Sequence, residues 1–600
     1  HIKAPANRTW RDEPASPFSK KTIHEMAATV FTQPPGRGTG IASQLSERTV
    51  PLQGGVRGGF RALIQRALTG SAPLGLSAAI LLLTFASPST PQAAPIPSEP
   101  VVIGSEPQFL HDGYIVDNVW AIRYKRQAVQ RVFHQPRKHP GNPILTGDQP
   151  SYLWVVRDEA AGLFRMYYQA NIQVGNDSDK GRKYHTQVAY AESNDGVEWN
   201  RPHLNLFPGR KPAPNNIVIA YRDRPDAESS APMILDAPAD DHRGYKSLMV
   251  YRAKGRKGQD INGIRVVGSH DGVRWDVKNS QRVVHLHSDH ANTISYDPKR
   301  KEYVLFCRAK DIYRAWGEEM IDTGASRRIA RLGSNNLWGE WMAHGQPQTI
   351  LTPDGIDNEL HFNFFYGMPT RHYAGIYWGF LEPFRMNDFI YTELVTSRDG
   401  FQFNRFRGVT EHSQKVVLRA GADTPDKQGR QLPALGGRPP KLIEWGADGE
   451  WDDTMIFASP GWVEVGDEWR IYYTGWDGEH GTTDRTGAIG LATMRKEGFY
   501  SMRGPKDGGV AATRRLIWPG GDLTINADAT GGEIKVRVSD AKRKPIPGYN
   551  YDDGETFDGD STAQIVKWNG KSMADLKGRE LRLEFFLKEA DLYTFRAAGE

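Results

Sequence analysis

Ala191-Glu-Ser193-Asn-Asp195-Gly196-Val-Glu-Trp199 closes a strand-like run, and the phrase returns four times along the chain. It reads Val267-Gly-Ser269-His-Asp271-Gly272-Val-Arg-Trp275 and Val395-Thr-Ser397-Arg-Asp399-Gly400-Phe-Gln-Phe403. Looser copies are Leu332-Gly-Ser334-Asn-Asn336…Trp341 and Leu491-Ala-Thr493…Glu497-Gly498-Phe499. Aligned on the turn at 195, 271, 336, 399 and 497, the copies stand 76, 65, 63 and 98 residues apart. A unit of that length holds several short strands, which predicts a propeller blade rather than a helical repeat. Asp-Gly and its substitutes tolerate positive φ and supply the tight turn. The aromatic that follows is expected to pack between neighbouring blades.

Working outward from the phrase gives the strands. Blade 1 reads Tyr152-Leu-Trp-Val-Val156, Leu163-Phe-Arg-Met-Tyr-Tyr168 and Gln187-Val-Ala-Tyr-Ala191, and four further blades repeat it to Met502. Short runs, two-residue alternation and Gly or Asp at the turns are strand signals. After Met502 the alternation continues without the phrase, which predicts a small β-sandwich. The expected fold is therefore all-β, with a five-bladed β-propeller over residues 101–502 and a C-terminal β-sandwich over 503–600.

Residues 1–100 show no alternation and are expected to be a disordered leader. Within it Arg57, Arg61 and Arg66 precede the apolar run 74–86, and small residues follow through Ala93-Ala94-Pro95. A basic flank, a short apolar run and a small-residue exit describe a secretory signal better than a membrane span of about 20 residues. The mature chain is thus expected to be exported, periplasmic or extracellular, with no stable membrane insertion.

Composition agrees with a loop-rich β protein: Gly 62 and Pro 38 make one residue in six of the 600 a turn-former, and aromatics reach 10%. A net charge of +5 spread along the chain does not indicate nucleic-acid binding. Cys307 is the only cysteine, so no intrachain disulfide forms. Nothing in the sequence sets the oligomeric state.

Residues just before the innermost strand of a blade line one mouth of the central channel. Those positions hold Asp148 before blade 1, Asp226 and Glu228 before blade 2, and Asp289 with His290 before blade 3. Asp354, Asp357, Glu359 and His361 precede blade 4, and Asp452 and Asp453 precede blade 5. Convergent carboxylates repel, which keeps some protonated and leaves others ionised. Glycoside cleavage needs that split, with an acid on the leaving oxygen and a carboxylate as base or nucleophile. Trp154, Tyr366, Trp378, Trp451, Trp462 and Trp476 offer faces on which a sugar ring can stack.

The five-blade count, the Asn142-Pro-Ile-Leu145 lead into Asp148, the Met166-Tyr-Tyr168 second strand and the recurrent Ser-x-Asp-Gly-x-x-Trp resemble the five-bladed propeller glycoside hydrolases. That superfamily holds the arabinanases, xylosidases and β-fructosidases, and the resemblance spans roughly residues 105–502. It implies a glycosidase acting on a poly- or oligosaccharide with three carboxylates from the first blade openings. Asp148 matches the base or nucleophile, and Asp289 stands where the family has its acid Glu, so it is expected to orient the sugar. The acid then falls to Glu359, with Asp357 beside it, or to Glu228. The fructosidase phrases Asn-Asp-Pro-Asn-Gly and Arg-Asp-Pro are absent. Trp154, Glu228, His290, His361, Asp453 and Arg308 are expected substrate contacts. No cofactor is required, although a single axial ion such as calcium fits the architecture, with His287 or His290 as candidate ligands.

Three other readings remain open. His285-Leu-His287-Ser-Asp289-His290 matches the zinc phrase of metallo-β-lactamase-like hydrolases, but it stands between blades rather than between strands and helices. Sialidases share the turn boxes but need six blades and an arginine triad, for which Arg308, Arg398 and Arg438 are available. A carbohydrate-binding propeller without turnover is the third.

Overall fold

Each well-formed copy of the phrase folds into the same device. Ser193 Oγ accepts from the Gly196 amide at 2.8 Å, and Asp195 Oδ1 accepts from the amides of Val197 and Glu198, both at 2.8 Å. The pattern repeats at Ser269, Asp271 and Gly272 and at Ser397, Asp399 and Gly400. The three glycines hold φ of 77°, 76° and 73°, a region that other residues enter only under strain. The closing aromatics then reach the second strand of the preceding sheet. Trp199 meets Tyr472 at 5.8 Å, Trp275 meets Tyr167 at 5.6 Å and Phe403 meets Phe306 at 5.5 Å, all edge-on. The hydroxyls of Tyr472 and Tyr167 donate to the carbonyls of Gly196 and Gly272 at 2.9 and 2.7 Å. The phrase is a clasp between successive sheets, part aromatic and part hydrogen bond.

The structure is a computed structural model. It describes residues 99–117, 129–177, 181–210, 214–224, 226–255, 260–285, 288, 290–308, 327–343, 345–355, 357, 361–385, 388–406, 409–410 and 439–598. The expected leader and its signal-like segment lie outside these residues. Among the described residues strands dominate, helical elements are short, and no helix is long and apolar enough to cross a membrane.

Five antiparallel sheets carry four strands each along the main path. Sheet 1 is Ser151–Asp158, Leu163–Asp177, Gly181–Ser193 and Ile217–Ile219. Sheet 2 is Glu228–Leu235, Ser247–Lys254, Gly263–Ser269 and Gln281–Val284. Sheet 3 is Thr293–Asp297, Glu302–Arg308, Ile329–Ser334 and Gln348–Leu351, and sheet 4 is Thr370–Tyr373, Ile376–Leu381, Glu393–Ser397 and Asn404–Arg405. Sheet 5 is Met455–Ala458, Glu468–Trp476 and Gly487–Arg495, and its outermost strand, Arg137–Lys138, comes from before sheet 1. The chain thus closes its own first and last sheets by backbone pairing. The first strands of all five sheets surround one channel, and buried apolar side chains fill the spaces between sheets.

Two further sheets pack on a shared core that includes Trp518, Trp568, Leu583, Phe585 and Phe595. The early strands join them rather than the ring. Val101–Val102 runs parallel to Leu516–Ile517, and Gln130–Phe133 runs antiparallel to Tyr500–Arg503. An alternating segment with one apolar face takes whichever sheet edge can bury that face. Glu497, the turn residue of the fifth copy, is fully buried and accepts from Thr594 Oγ1 at 2.8 Å, from Tyr373 at 3.1 Å and from Arg596. It fastens sheets 4 and 5 to the C-terminal strands.

Candidate functional site

The channel narrows at Tyr152, Ala231, Asn292, Pro369 and Phe457, where the free volume is about 20 Å³. Beyond this waist, toward the ends of the first strands, it widens to about 400 Å³ between Trp154, Asp236, Tyr296, Arg371 and Glu464. Trp154 therefore belongs to the wall of this lower half, 6% exposed and pressed on Gly461, where a Cβ would come within 2.7 Å of the indole. It is a packing residue rather than a sugar platform at the strand-start mouth.

Two of the expected catalytic carboxylates are held by cations. Asp148 has φ of 58°, accepts from the Tyr168 hydroxyl at 2.9 Å and pairs with Arg201 Nε at 3.1 Å. Asn216 Nδ2 donates to the same hydroxyl at 3.0 Å and to the carbonyl of Tyr190. Sheet 5 repeats the arrangement. Asp452 accepts from Tyr473 at 2.9 Å and pairs with Lys138 at 2.7 Å, while Asn142 donates to Tyr473 at 3.1 Å and to the carbonyl of Leu491. A recurring Asp–Tyr–Asn bracket is a feature of the scaffold, which weakens the expected role of Asp148 as base. Asp357, 3% exposed, is gripped by both terminal nitrogens of Arg405, at 2.5 and 2.9 Å, and Arg405 also binds buried Glu393 at 2.6 Å. This cation holds Asp357 against the outermost strand of sheet 4, away from the channel.

Other expected contacts are spent locally. Glu228 opens the first strand of sheet 2 and pairs with Lys254 at 3.2 Å. Asp453 accepts from the Gly449 amide and from Thr454 Oγ1, at 2.8 and 2.7 Å, and so closes its own turn. His361 is an exposed turn residue with φ of 63°. Asp289, Glu359 and His287 lie outside the described residues. Among the described residues no cluster of three or more His, Cys, Asp or Glu is disposed to hold a metal.

Sheets 3, 4 and 5 bring a different set together at the strand-start mouth. Arg308, 1% exposed at the end of the second strand of sheet 3, donates through Nε and Nη2 to the Tyr366 carbonyl at 3.1 and 2.8 Å. Its guanidinium lies 4.7 Å from the Tyr366 ring centroid, and that of Arg327 lies 5.6 Å from it. The Tyr366 hydroxyl is 3.2 Å from His480 Nε2. Beside them Glu382 is fully buried, and among the described residues neither carboxyl oxygen has a hydrogen-bond partner. Glu382 and His290 meet at Gly367: a Cβ there would come within 2.6 Å of Glu382 Oε2 and 2.7 Å of His290 Nδ1. Burial drives the Glu382 pKa up to about 8 against the opposing pull of Arg308. At neutral pH this carboxyl keeps its proton.

Arg308, His290 and Tyr366 were expected from the sequence, whereas Glu382 and His480 were not. A signal for Glu382 existed: one acid in the apolar stretch Ile376-Tyr-Trp-Gly-Phe-Leu-Glu382-Pro-Phe384. A lone charge in a buried strand demands either a partner or a proton.

No family model matches the chain, and no curated protein matches it. Among solved structures it is similar to an N-acetylgalactosamine deacetylase from F. plautii in complex with blood group B trisaccharide, at 14% identity over 62% of this chain and 96% of that one, with a TM-score of 0.36. It is also similar to a family-43 β-xylosidase/α-arabinofuranosidase from a compost microbial metagenome, at 15% identity over 61% and 97%, with a TM-score of 0.35. A β-1,2-mannobiose phosphorylase from Listeria innocua follows at 11% identity over 60% and 96%, with a TM-score of 0.37. Likeness this distant leaves the activity to be argued from the chain's own residues.

Proposed function

We propose that the chain is a glycosidase built as a five-bladed propeller with an appended β-sandwich, acting on a poly- or oligosaccharide at the strand-start mouth and exported through its leader. Glu382 carries this reading. A protonated carboxyl beneath a mouth lined by tyrosine, histidine and arginine is the kind of perturbed group that functional clefts collect. Because it is covered, Glu382 serves as a positioning residue. It shares the space at Gly367 with His290. With Asp148 bound in the scaffold, the reacting role moves from Asp148 to Asp289, which the sequence assigned to orienting the sugar, paired with Glu359 as the acid. While neutral Glu382 adds no negative charge beneath the mouth, and once ionised it would raise the pKa of any carboxylate near it.

The test is a screen of aryl glycosides and plant and algal polysaccharides, followed by a pH profile of the best substrate for the wild type and Glu382→Gln. The proposal expects a break in the wild-type profile near pH 8 that the variant lacks. Identical profiles would remove Glu382 from the mechanism.

The ion pairs on Asp148 and Asp357 favour a second reading, a carbohydrate-binding propeller without turnover. Glycan binding with no product released from any substrate in the screen would establish it.

A further inference from the structure

The geometry points to an anion subsite at Arg485, made for a carboxylate or sulfate group on a sugar bound at the strand-start mouth. This rests on the mouth being where the sugar binds. Arg485 follows the loop that carries His480 and lies half-buried beside it. Its Nη1 donates to the carbonyls of Glu479 and His480 at 3.1 and 2.8 Å. Its guanidinium lies 5.0 Å from the Trp476 ring centroid, which fixes the plane of the fork. The titratable groups facing it are the phenols of Tyr366, Tyr184 and Tyr152, neutral at neutral pH, and no carboxylate pairs with it among the described residues.

Some cations near the sheet ends are neutralised directly by carboxylates. Arg405 has Asp357 and Glu393, and Arg201 has Asp148. Arg485 is instead held by two carbonyls and an indole, so its charge is positioned but not neutralised. Burial accordingly pulls its pKa below the usual arginine value. A guanidinium stays charged nonetheless, and its planar fork matches two oxygens of a carboxylate or sulfate. An anionic ligand would replace lost hydration with charge-assisted bonds. A neutral sugar leaves that charge uncompensated.

Calorimetric titration of the full chain with oligogalacturonate, a sulfated galactan oligosaccharide and a neutral galactan oligosaccharide tests this. At least one anionic probe is expected to bind about tenfold or more tighter than the neutral one. That preference should shrink as salt rises, because a charge contact is screened. Arg485→Gln should abolish the preference and Arg485→Lys should keep part of it, with melting curves confirming that both variants fold. The carboxylated and sulfated arms identify which anion is read. Equal affinity for all three probes, or a preference unchanged in Arg485→Gln, overturns the subsite. Wild-type salt dependence decides the matter even if the variants fail to fold. Anion-selective binding without cleavage keeps the subsite and removes the hydrolase, whereas unselective cleavage does the reverse.

Discussion

The phenol of Tyr168 donates to the carboxylate of Asp148 across 2.9 Å, and Tyr473 does the same for Asp452. Each pair joins the approach to a first strand with the second strand of the same sheet, and an asparagine from an outer segment completes it. Two equivalent brackets on sheets 1 and 5 mean that Asp148 is doing what Asp452 does. Asp452 additionally ties in the strand that returns from before sheet 1, through Lys138.

The first prediction follows from that equivalence. Asp148→Asn and Asp452→Asn each weaken an ion pair and a hydrogen bond to a buried tyrosine, so each should cost about 1–3 kcal/mol of stability. Turnover per folded molecule should change by no more than a few-fold. A loss of activity specific to Asp148→Asn, with stability unchanged, would restore Asp148 as a reacting group.

Glu382 sets a pH dependence of stability. Below its ordinary value of 4.5 the carboxyl is protonated in both folded and unfolded chains. Between 4.5 and about 8 the unfolded chain releases the proton and the folded chain keeps it, so stability falls as pH rises and levels off above about 8. Glu382→Gln lacks this loss. The melting temperature of the variant should match the wild type near pH 4.5 and exceed it increasingly up to about pH 8. A constant difference across that range would refute the buried neutral carboxyl.

Gly367 leaves the space in which Glu382 and His290 meet. Gly367→Ala introduces a Cβ within 2.6 Å of the one and 2.7 Å of the other, so both side chains must shift. Overpacking of this kind should cost about 1–3 kcal/mol. Activity measured on the folded fraction should fall as well, because the mouth rearranges. An alanine variant with wild-type kinetics would show that the pair is not coupled to function.

Arg405 neutralises two buried carboxylates at once. Arg405→Met should destabilise by about 3–5 kcal/mol, because Asp357 and Glu393 would be left buried without their cation. Chemical denaturation would measure this, and a loss below about 1 kcal/mol would mean that the site relaxes to admit water.

The clasp is tested at Tyr472→Phe, which removes the hydroxyl bond to the Gly196 carbonyl and leaves the ring contact with Trp199. The expected loss is about 1 kcal/mol, with equal effect on sheets 1 and 5 in hydrogen exchange. Unchanged exchange at the Gly196 turn would argue against the bond as a tie between sheets.

The amino-acid sequence determined the strands and their grouping, because turn chemistry and two-residue alternation are local. Ser193, Asp195 and Gly196 satisfy one another within four residues, so their turn can be read without the rest of the chain. The site was legible only in part. Asp148 and Glu382 are both single acids beside strands, and composition could not separate an ion-paired carboxylate from a protonated one. That distinction depends on Arg201 and Tyr168 for the first, and for the second on burial next to Gly367. Likewise the pairing of residues 101–133 with C-terminal strands was decided by which sheet edges lay open after folding. Local patterns fix where strands and turns form, whereas charge states and edge partners depend on groups tens to hundreds of residues away, which only the packed chain brings together.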